Sequence, residues 1–515
     1  MKIFIRKNSA LLITLLLVIG FLIIASQSMN IQDFSITLLR SLSAGSVVFL
    51  VAAGFSLIFG LLDVLNLAHG TLYMIGAYIG WTVFVRPDTF IDLLSPVAIM
   101  LSGLVLSGLW NKIVNRIKLN LKARRIIAWG LIAIAIIAAI IILKRYPIAI
   151  WDIENYAKSP VTYSFFADQG IRQPLEAFAF EKISPMLAIF GLLFSSALLG
   201  FGIALMSGEV KTTSKKPWWN CVVYTVLVAV AVLVIVFNTP LSTWLINIDS
   251  TWLFLIAVIT AILSGVGLGT AMETTLIRPL YSRPIYQLML TLGLSSIGIE
   301  IVQSIWGRPG FIMPRPSIVN QSGEGCPATS FVSWWQNKCA TMQFFDGRIR
   351  VYDEIMIPMI GIIVLIGVWI LLKRTRLGMV IRAGVQDRQM VEALGINVRR
   401  VFTLVFALGV GLASVGGVLA APTTGLYAGM GASVLTSALI ALAIGGLTSY
   451  PGAALGSFLV GLVQQFIIKY GQIGIKIPFT EVIFKPSPPL VPASTVLLMV
   501  IILLFLPSGI LGKKD

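Results

Sequence analysis

Fourteen long apolar stretches run through this chain and constrain its fold more than any other feature of the sequence. A helix needs about 20 apolar residues to cross the hydrocarbon core of a bilayer, and flanking anchors allow somewhat fewer. Backbone groups inside lipid have no water to pair with, so each stretch must be helical. The sequence therefore predicts an all-α, polytopic transmembrane helical bundle of about fourteen helices. The stretches lie near residues 10–26, 44–60, 64–85, 93–110, 126–143, 185–206, 221–237, 252–270, 286–305, 355–372, 401–421, 435–447, 453–468 and 491–507.

The composition excludes a water-soluble enzyme. Hydrophobic residues make up 57% of the 515 residues and charged residues only 11%, whereas about 25% charged residues is usual in soluble domains. The formal net charge is +17, but nucleic-acid binding needs a basic face on a polar domain, which this chain lacks. The excess of Lys and Arg is instead typical of loops on the cytoplasmic side of a membrane.

Basic residues in short loops predict the orientation. Segments 111–125 and 373–400 are strongly basic and are predicted to be cytoplasmic, whereas 307–354 offsets its basic residues with acids and is predicted to lie outside. Alternation through fourteen helices then places both termini inside, as in a multi-pass protein of the cell (plasma or inner) membrane. The first stretch, near 10–26, also resembles a secretory signal peptide, but its long apolar run and poor cleavage site favour a retained helix.

Two predicted helix pairs are joined by very short links, 61–63 and 448–452. Each link is either a tight hairpin or part of a helix broken inside the membrane. Broken helices are tolerated only where they line a cavity or are buried in protein, and a pair of them in separate parts of a chain points to a permeation pathway. Pathway residues are therefore predicted around the second link at Gly445, Gly446 and Pro451.

A polar cluster follows the first link. Asn66 and His69 are three residues apart and share one helical face, with Gly70 beside them and Tyr73 a further turn along. These four residues either line a solute pathway or serve helix packing, with hydrogen bonds between helices and glycine allowing close approach. The residues alone leave both interpretations open.

No catalytic constellation is present in the sequence. There is no G-x-x-x-x-G-K-[ST] phosphate loop, and no G-x-S-x-G elbow accompanies the single histidine. The chain is therefore predicted not to be an enzyme and to have no ATPase site of its own. Acids inside the apolar stretches are scarce, with Asp63 and Glu300 the main ones, which argues against a proton- or sodium-coupled carrier without excluding it.

The cysteines allow one disulfide. Three cysteines and one histidine are too few for a disulfide framework or a structural zinc site, and no metal or cofactor is predicted. Only Cys326 and Cys339 share a segment, the polar one that the topology places outside. They are the candidate pair, and the sequence leaves open whether they are bonded.

A short polar segment within 373–400 is the second local feature. It runs from Asp387 to Asn397, and Asp387 lies near the expected start of a helix, where a negative charge favours the helix dipole. Gly395 and Asn397 are suited to ending that helix. Such a segment is either a docking element for a partner or a solvated connector.

Several short motifs occur in one colinear order that covers less than half of the chain. They are Asn66-Leu-Ala-His-Gly70 with Met74 to Tyr78, Glu273 with Ile277 to Leu280, Leu290 to Leu294, Met390 to Asn397 with Arg400-Val401, Ile444 to Leu447 with Tyr450 to Ala453, and Leu506 to Gly512. In this order the chain resembles the permease subunits of branched-chain amino acid (Liv-type) ABC importers, relatives of the urea and short-chain amide permeases.

The resemblance implies a subunit that translocates branched-chain amino acids by alternating access. Urea or short-chain amides are the alternative solutes, and a secondary carrier or a scaffold without transport function are the alternatives from other classes. The implied partners are two cytoplasmic ATP-binding-cassette ATPases, a second homologous permease, an extracytoplasmic solute-binding protein and membrane lipid. The resemblance also implies that Asp387, Glu392, Ala393, Leu394 and Gly395 form the loop that engages the ATPases.

The resemblance divides the chain into four parts. Residues 1–43 are an N-terminal helix and an outer linker, 44–87 the first part of the permease core, 88–251 an inserted region with about four extra helices, and 252–515 the remainder of the core with the coupling loop 373–400. An even number of extra helices keeps the following helices in their orientation. The sequence does not decide what the insertion does.

Overall fold

A computed structural model gives the architecture of the chain. It describes residues 29–116, 120–175, 183–206, 217–281, 283–386, 388–476 and 483–512, together with residues 19, 20, 22, 23, 26 and 179. Most of the first predicted stretch and Asp387 therefore lie outside the described residues.

Nineteen α-helices occur in these residues. In chain order they are α1 (Ile31–Leu62), α2 (His69–Val85), α3 (Pro87–Val105), α4 (Ser107–Arg116), α5 (Leu121–Arg145), α6 (Ile153–Asp168), α7 (Pro185–Met206), α8 (Pro217–Val236), α9 (Asn238–Asn247), α10 (Ser250–Met272), α11 (Pro284–Trp306), α12 (Phe331–Asn337), α13 (Ile357–Arg374), α14 (Arg376–Gln386), α15 (Arg388–Ala393), α16 (Val398–Thr424), α17 (Met430–Gly445), α18 (Tyr450–Ile473) and α19 (Leu490–Phe505).

Strands are few in the part of the chain that is described. β1 (Thr341–Phe344) pairs antiparallel with β2 (Gly347–Arg350), and β3 (Ile475–Lys476) pairs antiparallel with β4 (Ile483–Phe484). The first pair lies in the polar segment between α11 and α13, which also holds α12.

The helical content confirms the all-α, polytopic prediction. Ten of the described helices are long and apolar enough to cross a membrane, and α17 and α19 are apolar but shorter. Each of the thirteen predicted stretches after the first coincides with a described helix. The count of fourteen spans is nevertheless not confirmed, because the first stretch is mostly outside the described residues and several helices are too short to qualify.

α1 starts earlier than predicted. The residues before 44, which were expected to form an outer linker, are helical from Ile31 onward. Buried hydroxyl residues lower the hydropathy there without breaking the helix, because Thr37 and Ser41 donate to backbone carbonyls four residues earlier, at 2.6 and 2.7 Å. Lys469 also binds Asp33 at 2.6 Å, so the first turn of α1 is held to α18.

The described chain divides into two compact units. Unit 1 comprises Met1–Trp81, Ser250–Gln303 and Arg308–Asp515, and unit 2 comprises Thr82–Asp249 with Ser304–Gly307. Unit 2 thus contains nearly all of the region expected to be an insertion, and its long apolar helices are α3, α5, α7 and α8.

Within unit 1, α1 and α16 form the buried centre. Their backbones meet at Gly54 and Gly409, where a side chain on either residue would overlap the opposite helix. By contrast, α11 and α13 expose rows of large apolar side chains such as Ile297 and Ile363, as expected for helices that face lipid.

Candidate functional site

The link between α1 and α2 is a non-helical segment that reverses the chain. α1 ends at Leu62, Asp63 adopts φ 52°, and the residues up to 68 are not helical. α2 then begins at His69, whose Nε2 lies 3.2 Å from the carbonyl oxygen of Val51. Val51 precedes the end of α1 by about 16 Å of helix, so the link runs back along α1. α2 therefore starts partway along α1 rather than at its end.

Asn66 and His69 are completely buried at this break. The side-chain oxygen of Asn66 accepts a hydrogen bond from the N–H of Ala68 at 3.1 Å, and the His69 ring meets Phe55 edge-on. One nitrogen of each side chain, Asn66 Nδ2 and His69 Nδ1, has no hydrogen-bond partner among the described residues. Both residues thus stabilise the break and each retains an unpaired polar atom, which is uncommon for buried groups.

Gly70 and Tyr73 continue this cluster along α2. Gly70 is in backbone contact with Gly431 at the start of α17. The ring of Tyr73 packs on Gly416, and its hydroxyl is buried without a partner in the part of the chain described. The four predicted residues at the first link therefore lie together inside unit 1.

The second link is a tight hairpin between α17 and α18. Gly445 packs on the backbone of Gly452, and Gly456 packs on that of Ala441, so the two helices run antiparallel in backbone contact. Pro451 occupies the first turn of α18, where the missing N–H costs no hydrogen bond. The two links therefore differ: the first is a non-helical segment of six residues, and the second is a tight hairpin.

A segment near the C-terminus pairs with this hairpin. The N–H groups of Ile510 and Leu511 donate to the carbonyls of Ile444 and Gly445 at 2.9 and 3.0 Å. Gly446 has φ 105°, a conformation that favours glycine. Two motifs far apart in the sequence therefore form one structural element.

An open cavity of about 870 Å³ lies beside the hairpin. It is lined by the ends of α1 and α13, the middle of α14, the hairpin and the C-terminal segment, including Pro451, Ser56, Lys373 and Arg382. None of the described residues that line it is acidic, and the cluster around Asn66 is not part of it. The structure therefore does not bring the two groups of predicted pathway residues into one cavity.

The predicted ATPase-coupling segment presents an apolar surface. Val391 of α15 is buried against Phe402 of α16 in an apolar cluster. On the other side Met390 and Leu394 are 62% and 72% exposed, and Glu392 and Ala393 are exposed as well. α15 is thus anchored on one side and offers large apolar side chains on the other.

Gly395 ends α15 as predicted. Its φ is 79°, its N–H donates to the carbonyl of Glu392 at 3.0 Å, and the N–H of Ile396 donates to the carbonyl of Val391 at 3.3 Å. This pair of hydrogen bonds is a Schellman ending, which favours glycine at that position. Asn397 has a different role from the expected stop, because its side chain caps the start of α16.

A buried ion pair beside this segment was not predicted as a site. Glu273 is completely buried, and its carboxylate accepts hydrogen bonds from Arg278 at 2.7 Å, Tyr281 at 2.6 Å and Thr403 at 2.7 Å. Tyr281 in turn meets Phe402 edge-on. The network therefore joins the end of α10 to the start of α16, next to the cluster that anchors α15. The sequence contains one signal for this ion pair: a lone acid at the end of an apolar stretch, followed five residues later by an arginine.

Cys326 and Cys339 form a disulfide within the polar segment that connects α11 to α13. The remaining cysteine, Cys221, is free and exposed. Of the two acids noted inside apolar stretches, Asp63 lies at the end of α1 and Glu300 is exposed on α11.

A family model described as the permease component of the branched-chain amino acid transport system matches residues 37–249 and 231–506. These ranges cover most of the chain. The chain belongs to this family. It is therefore a transport permease component, and the ten long apolar helices among its described residues make it a multi-pass membrane protein.

Named relatives agree with this family. The high-affinity branched-chain amino acid transport system permease protein BraD of Pseudomonas aeruginosa is 31% identical over 171 residues, which are 33% of this chain and 51% of BraD. The corresponding LivH proteins of Salmonella typhimurium and Escherichia coli are 26% and 25% identical over 277 residues, 52% of this chain and 78% of each relative. The match to BraD thus spans about half of that protein. No solved structure matches the chain.

Proposed function

We propose that this chain is the transmembrane permease subunit of an ATP-binding-cassette importer that translocates branched-chain amino acids by alternating access. Family membership carries this proposal. The relatives named for high-affinity branched-chain amino acid transport supply the solute class. Such a subunit converts ATPase closure into opening and closing of a pathway and needs no catalytic residue of its own.

The ATPase contact is assigned to α15 and Gly395. An exposed Met390 and Leu394 on a short anchored helix suit an apolar groove on a partner, since apolar surface of this kind is stabilised by burial. Two ATPases, a second homologous permease and an extracytoplasmic solute-binding protein complete the proposed importer. Asn66, His69, Gly70 and Tyr73 are assigned to the solute pathway.

The proposed orientation places α14 and α15 in the cytoplasm and the disulfide segment outside. A Cys221→Ser background leaves only the bonded pair, so single cysteines at Gln336, Arg376 and Lys122 can be labelled selectively. In intact cells, a membrane-impermeant maleimide should label the cysteine at position 336 and reach those at 376 and 122 only after permeabilisation. Labelling of all three positions in intact cells would contradict the orientation.

Gly395→Val should uncouple the ATPases. A β-branched residue is strained at φ 79°, at a cost of about 1–2 kcal/mol, and the turn that presents Leu394 shifts. In the reconstituted importer, stimulation of ATP hydrolysis by loaded solute-binding protein should fall severalfold or more. Gly395→Asn is the matched control, because asparagine tolerates this backbone region and should keep most of the stimulation. Wild-type stimulation in Gly395→Val would remove this loop from the coupling mechanism.

A further inference from the structure

The open cavity beside the hairpin of α17 and α18 has a mixed lining. Trp369, Leu372 and Leu503 form apolar parts of its wall, whereas Lys373 and Arg382 add two positive charges. No carboxylate among the described lining residues offsets these charges. The cavity volume of about 870 Å³ lies within the range of roughly 300–1,000 Å³ that is usual for sites of organic ligands. The cavity therefore suits a ligand that combines an anionic group with apolar surface.

The two cations are held at the same end of α13. The guanidinium of Arg382 donates to the carbonyl oxygen of Leu372, the residue that precedes Lys373. The Lys373 ammonium lies 5.0 Å from the centre of the Trp369 ring. The ion pairs found within the described chain include neither cation. Because a guanidinium has five N–H donors and an ammonium three, both groups retain donors for an anion in the cavity.

The cavity adjoins helices that face lipid. α13 and α19 both contribute to its lining. Both expose large apolar side chains, such as Ile363 and Ile366 on α13 and Leu497 and Leu504 on α19. Trp369 of the lining is exposed as well, and tryptophan and basic residues are typical of the membrane–water interface. The chains of a lipid molecule on either helix therefore lie next to the cavity.

A transported amino acid suits this lining less well than a lipid does. An amino acid carries an ammonium group beside its carboxylate, and Lys373 and Arg382 repel that ammonium group. An anionic phospholipid instead has a net negative headgroup and places its acyl chains against apolar side chains. Basic pockets between helices on the cytoplasmic side of membrane proteins bind such headgroups.

We propose that this cavity binds one anionic phospholipid of the cytoplasmic leaflet. The phosphate group contacts Lys373 and Arg382, and the acyl chains lie along Trp369, Leu372 and Leu503. The leaflet follows from the proposed orientation, which places the end of α13 inside. The cluster at the start of α2 is not part of the cavity, so the lipid site does not depend on which solute is transported.

Two double variants separate a bound lipid from general attraction to a basic surface. Lys373→Gln combined with Arg382→Gln removes both cations of the cavity. Arg374→Gln combined with Arg376→Gln removes the same charge from neighbouring residues that do not line the cavity. All four side chains are exposed, and substitutions of exposed side chains usually change stability little. Both double variants should therefore fold.

Gly60→Leu blocks the cavity without changing any charge. Gly60 belongs to the lining, and a Cβ at this position would meet only Thr448, another lining residue, at 3.9 Å or more. A leucine side chain there extends into space that the lipid needs. Leucine also favours a helix more than glycine does, so α1 should remain folded.

The test measures lipid binding to the purified full chain in detergent. Native mass spectrometry counts retained lipid after addition of phosphatidylglycerol or phosphatidylcholine, and melting temperatures are compared with each lipid and with inorganic phosphate. The wild type and the Arg374→Gln, Arg376→Gln variant should retain one phosphatidylglycerol in preference to phosphatidylcholine and melt higher with it. The Lys373→Gln, Arg382→Gln variant and Gly60→Leu should bind phosphatidylglycerol about tenfold or more weakly, because hydrogen bonds to charged groups are among the stronger ones.

Equal binding by the two double variants would overturn the proposal, and so would wild-type binding by Gly60→Leu. Inorganic phosphate that stabilises the wild type as much as phosphatidylglycerol would overturn it in favour of a free-phosphate site. A wild type that retains no phosphatidylglycerol would overturn it in favour of a protein partner in the cavity. If the Lys373→Gln, Arg382→Gln variant does not fold, Gly60→Leu decides. None of these outcomes depends on leucine uptake, which tests the proposed function separately.

Discussion

Glu273→Ala should strongly destabilise the folded chain. The substitution leaves the Arg278 guanidinium beside two hydroxyl groups without its counter-ion. Breaking a buried ion pair costs about 3–5 kcal/mol, and the lower end applies because the Arg278 side chain is 33% exposed. The melting temperature of the purified protein in detergent should fall by several degrees, and little monodisperse protein should be recovered.

Glu154 provides the matched control for this change. It forms an ion pair with Lys158, but both side chains are largely exposed, and such pairs contribute little to stability. Glu154→Ala should therefore melt like the wild type. Equal melting temperatures for Glu273→Ala and Glu154→Ala would show that the Glu273 network does not hold α10 to α16.

Gly445→Val should prevent correct folding of the hairpin between α17 and α18. A side chain at Gly445 would overlap the backbone of Gly452, and a backbone cannot move aside by changing a rotamer. Overpacking typically costs about 1–3 kcal/mol and occasionally more, and this contact belongs to the severe cases because both neighbours are main chain. Expression should yield mostly aggregated protein on size exclusion.

Gly267→Val is the control for Gly445→Val. It tests whether misfolding comes from the lost contact between Gly445 and Gly452 or simply from placing valine in a membrane-spanning helix. Gly267 lies in α10, and a side chain there would meet nothing within 4 Å. This variant should therefore express and elute like the wild type. A folded, transporting Gly445→Val protein would contradict the close hairpin.

The sequence predicted the helices well, because the bilayer leaves helices as the only solution for long apolar stretches. The sequence did not predict where α1 starts. The hydroxyl groups of Thr37 and Ser41 donate to carbonyl oxygens of the same helix, so these polar residues do not mark a loop. Hydropathy detects the cost of a polar group but not whether a local partner removes that cost.

The two links also mark the limit of prediction from sequence. Both are short, yet 61–63 leads into a non-helical segment up to residue 68 and 448–452 into a tight hairpin. The difference depends on tertiary contacts, namely His69 with Val51 and Gly445 with Gly452. Gly395 was predictable because a helix ending of that kind favours glycine locally. The partners of Glu273 were not, because Thr403 is 130 residues away.

In the proposed function, ATP hydrolysis in partner subunits drives the import of branched-chain amino acids through this permease. The most direct measurement is accumulation of labelled leucine in proteoliposomes that contain the permeases and ATPases, with binding protein on the substrate side and ionophores that abolish ion gradients. Leucine should accumulate against its gradient only when ATP and the binding protein are both present. Accumulation driven by a proton or sodium gradient in vesicles without ATPases would contradict it.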